Sequence, residues 1–160
     1  MTERLAHEIM EDDVITITKD KSIKELAQLL TDNDISGVPV VDGQNILQGI
    51  VSETDIVDFM KKDQVFFPIL VYPIYNYAYV NPELYTEGYE KNKEALSNTK
   101  VEDIMHTWVR KAKKDTPESE IANIMIENGV NRVPIVDGDN KVIGIIARSD
   151  LVRSMLKKDH

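Results

Sequence analysis

The junction between a predicted strand and the helix after it carries the residue types most able to do chemistry in this chain. Gly49, Ser52 and Asp55 are spaced so that a hydroxyl ends the strand and a carboxylate lies in the first helical turn. Backbone N–H groups at a helix N-terminus suit a phosphate, and the carboxylate can accept hydrogen bonds from a ribose diol. The spacing is therefore compatible with a nucleotide site, and the recurrence of an Asp at position 150 favours that interpretation. The alternative is that Ser52 and Thr54 only cap the helix while Asp55 favours its dipole.

This junction occurs twice, because residues 9–60 and 104–155 align without a gap at an offset of 95. A repeat of this length is a folding unit rather than a chance similarity. Two copies predict a pseudo-two-fold pair with a ligand cleft between them. The equivalent segments and residues are Val38–Gly43 and Val133–Gly138, Gly49 and Gly144, and Asp55 and Asp150.

The elements that position the junction are predicted as strand, helix, strand, strand and helix in each repeat, which makes the fold class α+β with two βαββα repeats. The β-branched run Val14–Thr18 favours a first strand. Ser22–Glu25 matches a capping box at the start of the next helix. Thr116 and Pro117 predict a capped start for the equivalent helix of the second repeat.

The closing helices are predicted to turn apolar faces inward, so that pairing of the two copies buries them. The predicted inner residues are Ile56, Val57 and Met60 in the first repeat and Leu151, Val152, Met155 and Leu156 in the second. Trp108 is expected in the core or at its rim. His7, His106 and His160 do not align between the repeats and are expected at the surface or at element boundaries.

The predicted domains are a first repeat at 1–62, an insertion at 63–100 and a second repeat at 101–160, all in one compact module. The insertion holds all six tyrosines, and 64–89 is too apolar for a free linker. We expect an insertion that packs on the repeats or lies in an oligomer interface, the alternative being an aromatic platform for a ligand or partner. A short helix is predicted at Glu90–Leu96.

Composition narrows the function classes. A formal net charge of −9 argues against general nucleic-acid binding, and the absence of cysteine excludes disulfides. The formal net charge is −11 for residues 1–106 and +2 for residues 107–160, so the second repeat is better suited to receive an anion. The alternative is that its basic face is simply solvated. No signal peptide or membrane span is visible, which predicts a cytoplasmic protein.

The phrases Ile35–Asp42 and Val130–Asp137, each followed by Gly-Ile and then Asp, resemble the CBS (cystathionine β-synthase) domain. Two copies resemble a stand-alone CBS pair, or Bateman module. The resemblance implies a regulatory, non-catalytic protein that binds AMP, ADP or ATP, or S-adenosylmethionine, in the cleft between repeats. It also implies a homodimer and a regulated partner protein that the sequence does not identify.

The family's binding pattern is fully matched by Gly49, Ser52 and Asp55, which implies that Ser52 meets phosphate and Asp55 holds the ribose hydroxyls. In the second repeat Ala147 replaces the hydroxyl residue, so the two sites are predicted to be unequal, with the Ser52–Asp55 site the tighter. The residue before Val-Pro often faces phosphate in this family. In this chain that residue is Gly37 in the first repeat and Arg132 in the second. The Arg132 guanidinium suits phosphate, and the alternative is that it forms a surface salt bridge.

The predicted nucleotide-binding residues come from both repeats. They are Thr16, Ile17, Val38, Pro39, Gly49, Ile50, Ser52, Thr54 and Asp55 in the first repeat, and Lys111, Arg132, Val133, Pro134, Ile145, Arg148 and Asp150 in the second.

An enzyme is not predicted. The sequence contains no P-loop lysine, no dinucleotide GxGxxG motif, no nucleophile elbow and no two-His zinc helix. No catalytic residue and no metal ligand is therefore assigned. The rival to the nucleotide sensor is an assembly scaffold, in which the Tyr-rich insertion mediates interactions and the cleft is vestigial.

Overall fold

A computed structural model describes residues 3–62, 90–91 and 93–156. The six tyrosines, and most of the insertion predicted at 63–100, lie outside the described residues. Residues 90–91 and 93–98 are helical, close to the short helix expected at Glu90–Leu96.

The chain forms two compact units, and each contains parts of both repeats. One unit, called unit A below, consists of Met1–Thr16, Pro39–Gly49 and His106–His160. The other, unit B, consists of Ile17–Val38 and Ile50–Met105.

Each repeat contains the predicted helix, two strands and closing helix in that order, and the predicted α+β class is confirmed. The short helix at the start of the first repeat was not predicted. The first repeat contains α1 (Ala6–Ile9), α2 (Ile23–Asp32), β1 (Gly37–Val41), β2 (Leu47–Ser52) and α3 (Glu53–Lys62). After a 3-10 turn at Val101–Asp103, the second repeat contains α4 (Glu118–Asn128), β3 (Arg132–Val136), β4 (Val142–Ala147) and α5 (Arg148–Leu156). Strand β1 pairs with β2, and β3 pairs antiparallel with β4.

The first strand of each repeat is shorter than predicted. Of the segment expected at Val14–Thr18, only Ile17 forms a bridge. At the equivalent position Ala112 makes a single parallel bridge to Ile135. The physical reason in the second repeat is that only Ala112 is buried, while the lysines on both sides of it are exposed. A single buried residue offers too few hydrogen bonds to the sheet for a strand to extend.

Helix starts follow the predicted chemistry in one repeat and depart from it in the other. The Ser22 hydroxyl accepts the Glu25 N–H at 3.1 Å, and the Glu25 carboxylate accepts the Ser22 N–H at 2.8 Å, which confirms the capping box. These bonds lower the pKa of Glu25, with the Ser22 N–H as the main cause. The prediction for the second repeat is wrong, because Pro117 is the N-cap and Thr116 Oγ1 instead accepts the Lys113 N–H at 3.0 Å.

The core of unit A joins the N-terminal segment to the second repeat. Its buried members are Ala6, Ala112, Ile121, Met125, Val133, Ile135 and Ile146. Glu11 and Ile145 exchange two backbone hydrogen bonds of 2.9 and 3.0 Å, so the segment after α1 pairs with β4. Met10 packs against Gly144, where a Cβ atom would overlap its side chain.

The inner face predicted for α5 is wrong in three of four residues. Val152, Met155 and Leu156 are 59%, 66% and 71% exposed. Ser154 is buried instead, and its hydroxyl donates to the Glu118 carboxylate of α4. The helix therefore buries the side that holds Leu151 and Ser154, because a buried carboxylate on α4 needs a hydroxyl rather than a methyl group opposite it.

The turns of the two hairpins meet in unit A through reciprocal contacts that obey the 95-residue offset. Leu47 N–H donates to Asn140 O at 3.0 Å, and Val142 N–H donates to Asn45 O at 3.1 Å. The side-chain amides repeat the exchange, with Asn45 Nδ2 donating to Val142 O at 2.8 Å and Asn140 Nδ2 donating to Leu47 O at 3.3 Å. A small apolar cluster covers this seam, formed by Val41, Leu47, Val136 and Val142 with Val14 and Val109 packed against it. The seam is a local pseudo-two-fold between the repeats.

Candidate functional site

The first-repeat junction, in unit B, brings Ser52 and Asp55 together. Ser52 is the last residue of β2, and its N–H and hydroxyl both donate to Asp55 Oδ2, at 2.8 and 3.1 Å. Glu53, the first residue of α3, donates its N–H to Ser36 O at 2.9 Å. Asp55 therefore satisfies a helix-end N–H, as the capping interpretation requires, and also places a carboxylate beside a hydroxyl. A hydroxyl donor next to a carboxylate acceptor is an arrangement that can bind a polar ligand such as a ribose diol.

The second-repeat junction, in unit A, keeps the same backbone arrangement without the hydroxyl. Ala147 N–H donates to Asp150 Oδ2 at 2.7 Å, and Arg148 N–H donates to Asn131 O at 3.1 Å. Arg132 is the cross-strand partner of Ala147 in the β3–β4 ladder. The strand pairing thus places Arg132 beside Ala147, the residue equivalent to Ser52.

Sequence reasoning missed one residue at this junction. Arg153 Nη1 lies 3.2 Å from Asp150 Oδ1 and forms an ion pair with it. The Asp150 side chain is only 15% exposed, whereas that of Arg153 is 64% exposed. A basic residue three positions after an acidic one on a helix was the available signal, because side chains at that spacing are neighbours.

Other predicted site residues are distributed along the strands. In unit A, Val133 and Pro134 are buried in β3, and Pro134 pairs with Ile145 of β4. Thr16, Pro39 and Gly49 also belong to unit A, whereas Ile17, Val38, Ile50 and Thr54 belong to unit B. Their roles as ligand-binding residues stay predictions.

Lys111 lies away from the second-repeat junction. Its Nζ donates to Asn140 Oδ1 at 2.6 Å, in the turn that precedes β4. Asp150 follows the other end of that strand, roughly 16 Å further along at the rise of an extended chain. The Lys111 ammonium is therefore directed to the turn, where Lys113 Nζ also donates to Asp137 O at 2.8 Å.

The expectation of a buried or rim position for Trp108 is wrong. Trp108 is 75% exposed, and the Arg110 guanidinium lies 3.9 Å from the centroid of its ring. The guanidinium and the indole thus form a cation–π contact at the surface.

Asp137, in the turn before β4, carries a shifted pKa. Its carboxylate accepts the Lys141 N–H at 3.0 Å and the Asp139 N–H at 2.9 Å. These bonds, the Lys141 N–H first, lower the pKa of Asp137 below its ordinary range. Within the described ranges, no cluster of three or more His, Asp or Glu residues could hold a metal ion.

Comparison with known families decides the identity of the repeats. The CBS domain model matches residues 6–62 and 101–157. This chain belongs to the CBS domain family. The resemblance inferred from the Val-Pro phrases is thereby confirmed, and the two repeats form a CBS pair.

Relatives of this CBS protein share both sequence and fold. An uncharacterized protein of Methanocaldococcus jannaschii is 31% identical over 144 residues, which are 89% of this chain and 86% of that protein. The CBS domain pair of protein MJ0100, solved in complex with 5′-methylthioadenosine and S-adenosyl-L-methionine, superposes with a TM-score of 0.74 at 23% identity. That likeness covers 99% of this chain and 100% of the other.

A second solved likeness is CBSX2, a CBS-pair protein of Arabidopsis thaliana whose structure in complex with AMP has a TM-score of 0.70 at 22% identity. It covers 98% of each chain. Identities at this level establish the fold that the CBS protein shares with them. Among the helices that the structure describes, none has the length and apolar character needed to cross a membrane. The cytoplasmic location stays a prediction.

Proposed function

We propose that this CBS pair is a regulatory module that binds AMP, ADP, ATP or S-adenosylmethionine and converts binding into a change of shape or of affinity for a partner protein. The observation that carries the proposal is the pairing of Ser52 and Asp55, with two hydrogen bonds of 2.8 and 3.1 Å at the start of α3. That carboxylate would hold the ribose hydroxyls, and the Ser52 hydroxyl would meet a polar group of the ligand.

Solved relatives support an adenosine-containing ligand. The MJ0100 pair was crystallised with 5′-methylthioadenosine and S-adenosyl-L-methionine, and CBSX2 with AMP. These ligands share the adenosine group and differ at the 5′ position. The adenosine group is therefore the part of the ligand that we assign to the predicted binding residues of this chain.

Regulation requires that the ligand distinguish two states of the protein. A ligand shifts such an equilibrium only by the difference between its affinities for the two states. We place the domain boundaries for this module at 1–62 and 101–160, with the segment 63–100 between them. The regulated protein is a partner that the module contacts in one ligand state and not in the other.

The test is a panel of adenosine compounds in a thermal-shift assay, followed by titration calorimetry. Binding at a concentration a hundredfold above Kd raises the free energy of unfolding by about 2.7 kcal/mol. Asp55→Asn keeps an oxygen for the Ser52 N–H but removes the charge, and should weaken the strongest binding event at least tenfold. The control is Glu127→Gln, which removes an exposed carboxylate from α4 and should leave the affinity unchanged. If no adenosine compound moves the unfolding midpoint at millimolar concentration, the proposal fails.

We propose that the bound ligand is not chemically altered. The sequence holds no phosphate-binding loop lysine and no nucleophile elbow, and we assign no general base. Incubation with ATP and Mg²⁺, followed by chromatography, should return ATP unchanged. Turnover that co-purifies with the protein and disappears in Asp55→Asn would contradict this.

A second candidate function, assembly, is favoured by the exposed apolar side of α5. Val152, Met155 and Leu156 are each more than half exposed, and a second copy of the chain would remove them from water. We propose an isologous homodimer. Light scattering should give twice the 18.2 kDa mass of the chain, and Met155→Glu should lower it, whereas Lys24→Glu on α2 should not. A monomer at tens of micromolar would refute dimerisation.

A further inference from the structure

The second repeat carries an exposed tryptophan that its fold does not require. Trp108 is the only tryptophan of the chain, and it is 75% exposed. At the 95-residue offset the first repeat has Asp13 in its place, and Ile15 in the place of Arg110. Both segments pack a valine against the apolar cluster at the seam. Since the first repeat builds the equivalent segment with Asp and Ile, folding alone does not explain Trp108 and Arg110.

The Arg110 guanidinium is held against the indole, and one of its donors lacks an acceptor. It lies 3.9 Å from the centroid of the Trp108 ring. Its Nε atom is buried, yet within the part of the chain that the structure describes no group accepts a hydrogen bond from it. A donor removed from water without an acceptor costs free energy, which a new acceptor would recover. Arg110 is therefore suited to receive an anionic oxygen.

The charge around this pair is positive. Residues 107–115 hold four cations and one carboxylate. Three of the cations, Lys111, Lys113 and Lys114, are exposed. Lys111 Nζ donates to Asn140 Oδ1 at 2.6 Å and Lys113 Nζ donates to Asp137 O at 2.8 Å, so both ammonium groups are held beside the turn. The Asp137 carboxylate offsets only part of this charge, and an acidic segment would be attracted to this stretch.

We infer that the Trp108–Arg110 pair is a docking site for an acidic segment of a partner protein, in which a carboxylate meets the guanidinium and an apolar side chain covers the indole. Trp and Arg are enriched among the residues that dominate binding energy at protein interfaces. A carboxylate can accept two parallel hydrogen bonds from a guanidinium, and stacking on the indole already restricts that group. A nucleic acid is disfavoured, because the whole chain has a formal net charge of −9.

This docking site goes beyond the proposed function, because neither Trp108 nor Arg110 is among the residues assigned to the adenosine ligand. It gives the regulated partner a surface on the module and a chemical character, and it rests on the proposed function only for the existence of that partner. An acidic segment can bind the pair whether or not adenosine compounds bind elsewhere. The two proposals therefore fail separately when peptide binding is measured without nucleotide.

Trp108 fluorescence reports on this site alone, because the chain has no other tryptophan. The probe is a short, end-blocked peptide of Glu and Leu, titrated into the full chain. Its emission should shift to shorter wavelength and acrylamide quenching should fall, since the indole leaves water. The same peptide with Lys in place of Glu should cause neither change. Tighter binding of a single-stranded oligonucleotide, or the same shift on concentrating the protein without peptide, would assign the surface to nucleic acid or to a second copy and overturn the inference.

Substitutions separate the guanidinium from the indole. Arg110→Gln keeps the indole and should weaken the acidic peptide about tenfold, whereas Arg110→Lys keeps the charge without the planar fork and should weaken it less. Trp108→Asp combined with Arg110→Ile restores the residues of the first repeat, so it should keep the circular dichroism of the fold and lose peptide binding by calorimetry. The control Lys24→Gln removes an exposed cation of α2 and should leave the affinity unchanged. Equal affinity of Arg110→Gln and the unaltered chain would overturn the inference, as would an acidic peptide that leaves the fluorescence unchanged.

Discussion

The seam formed by Asn45 and Asn140 gives the sharpest stability prediction. Both residues have a left-handed backbone, with φ of 65° and 63°, and each amide donates across to the strand of the other repeat. Two effects therefore depend on each Asn: its tolerance of positive φ and its hydrogen bond. Substitution by Gly removes only the amide, whereas substitution by Ala removes the amide and also strains the backbone.

The magnitudes separate these variants. A net hydrogen bond contributes about 0.5–1.5 kcal/mol. A left-handed backbone costs a residue with a Cβ atom about 1–2 kcal/mol, a cost that Asn offsets and Gly avoids. Asn45→Gly should therefore lower the free energy of unfolding by about 1 kcal/mol and Asn45→Ala by about 2–3 kcal/mol. In a chain of this length, 1 kcal/mol shifts the unfolding temperature by about 2–4 °C.

Equilibrium urea unfolding followed by circular dichroism measures these differences. The control is Gln44→Ala in the same turn, because the Gln44 side chain is exposed and its backbone N–H alone bonds to Asp42. It should change stability by less than about 0.5 kcal/mol. Equal losses for Asn45→Gly and Asn45→Ala would show that the positive φ costs nothing. If Asn45→Gly leaves the free energy of unfolding unchanged, the hydrogen bond of the Asn45 amide across the seam does not stabilise the fold.

Three further predictions concern unit A. Gly144→Ala places a Cβ 2.9 Å from Met10 Cγ and should lower the free energy of unfolding, measured by denaturation, by about 1–3 kcal/mol. The same substitution made in a Met10→Ala background should lower it by less. Ser154→Ala removes the hydroxyl donor of the buried Glu118 carboxylate and should cost about 1–3 kcal/mol by the same assay, part of which the double variant with Glu118→Leu recovers. Because its pKa is lowered by folding, Asp137 stabilises the protein above its unfolded pKa of about 3.9, and this contribution is lost as pH falls through the lower folded value. Asp137→Asn should therefore flatten the decline of the unfolding midpoint between about pH 5 and pH 3, and an unchanged slope would refute the assignment.

The sequence predicts features whose cause is local or periodic. The capping box at Ser22 depends on two residues three positions apart, Ser22 and Glu25, and the repeat depends on direct identity, so both could be found without coordinates. The exposed face of α5 could not be predicted from the sequence, because Val152 and Met155 fit the spacing of a buried helix face as well as Leu151 does. The deciding partner, Glu118, lies 36 positions from Ser154 in the chain. The seam was missed although Asn recurs at the 95-residue offset, because a positive φ and a cross-repeat amide bond are tertiary effects.

The two junctions also show why site chemistry can diverge while the fold does not. The bonds that fix each junction are made by backbone N–H groups and by the one side chain retained in both copies, the Asp of the first helical turn. The surrounding positions make few of these bonds, so Ser52 can become Ala147 and Glu53 can become Arg148 at small cost in stability. A duplicated module can therefore keep one backbone scaffold at both junctions while the side chains around the retained Asp differ.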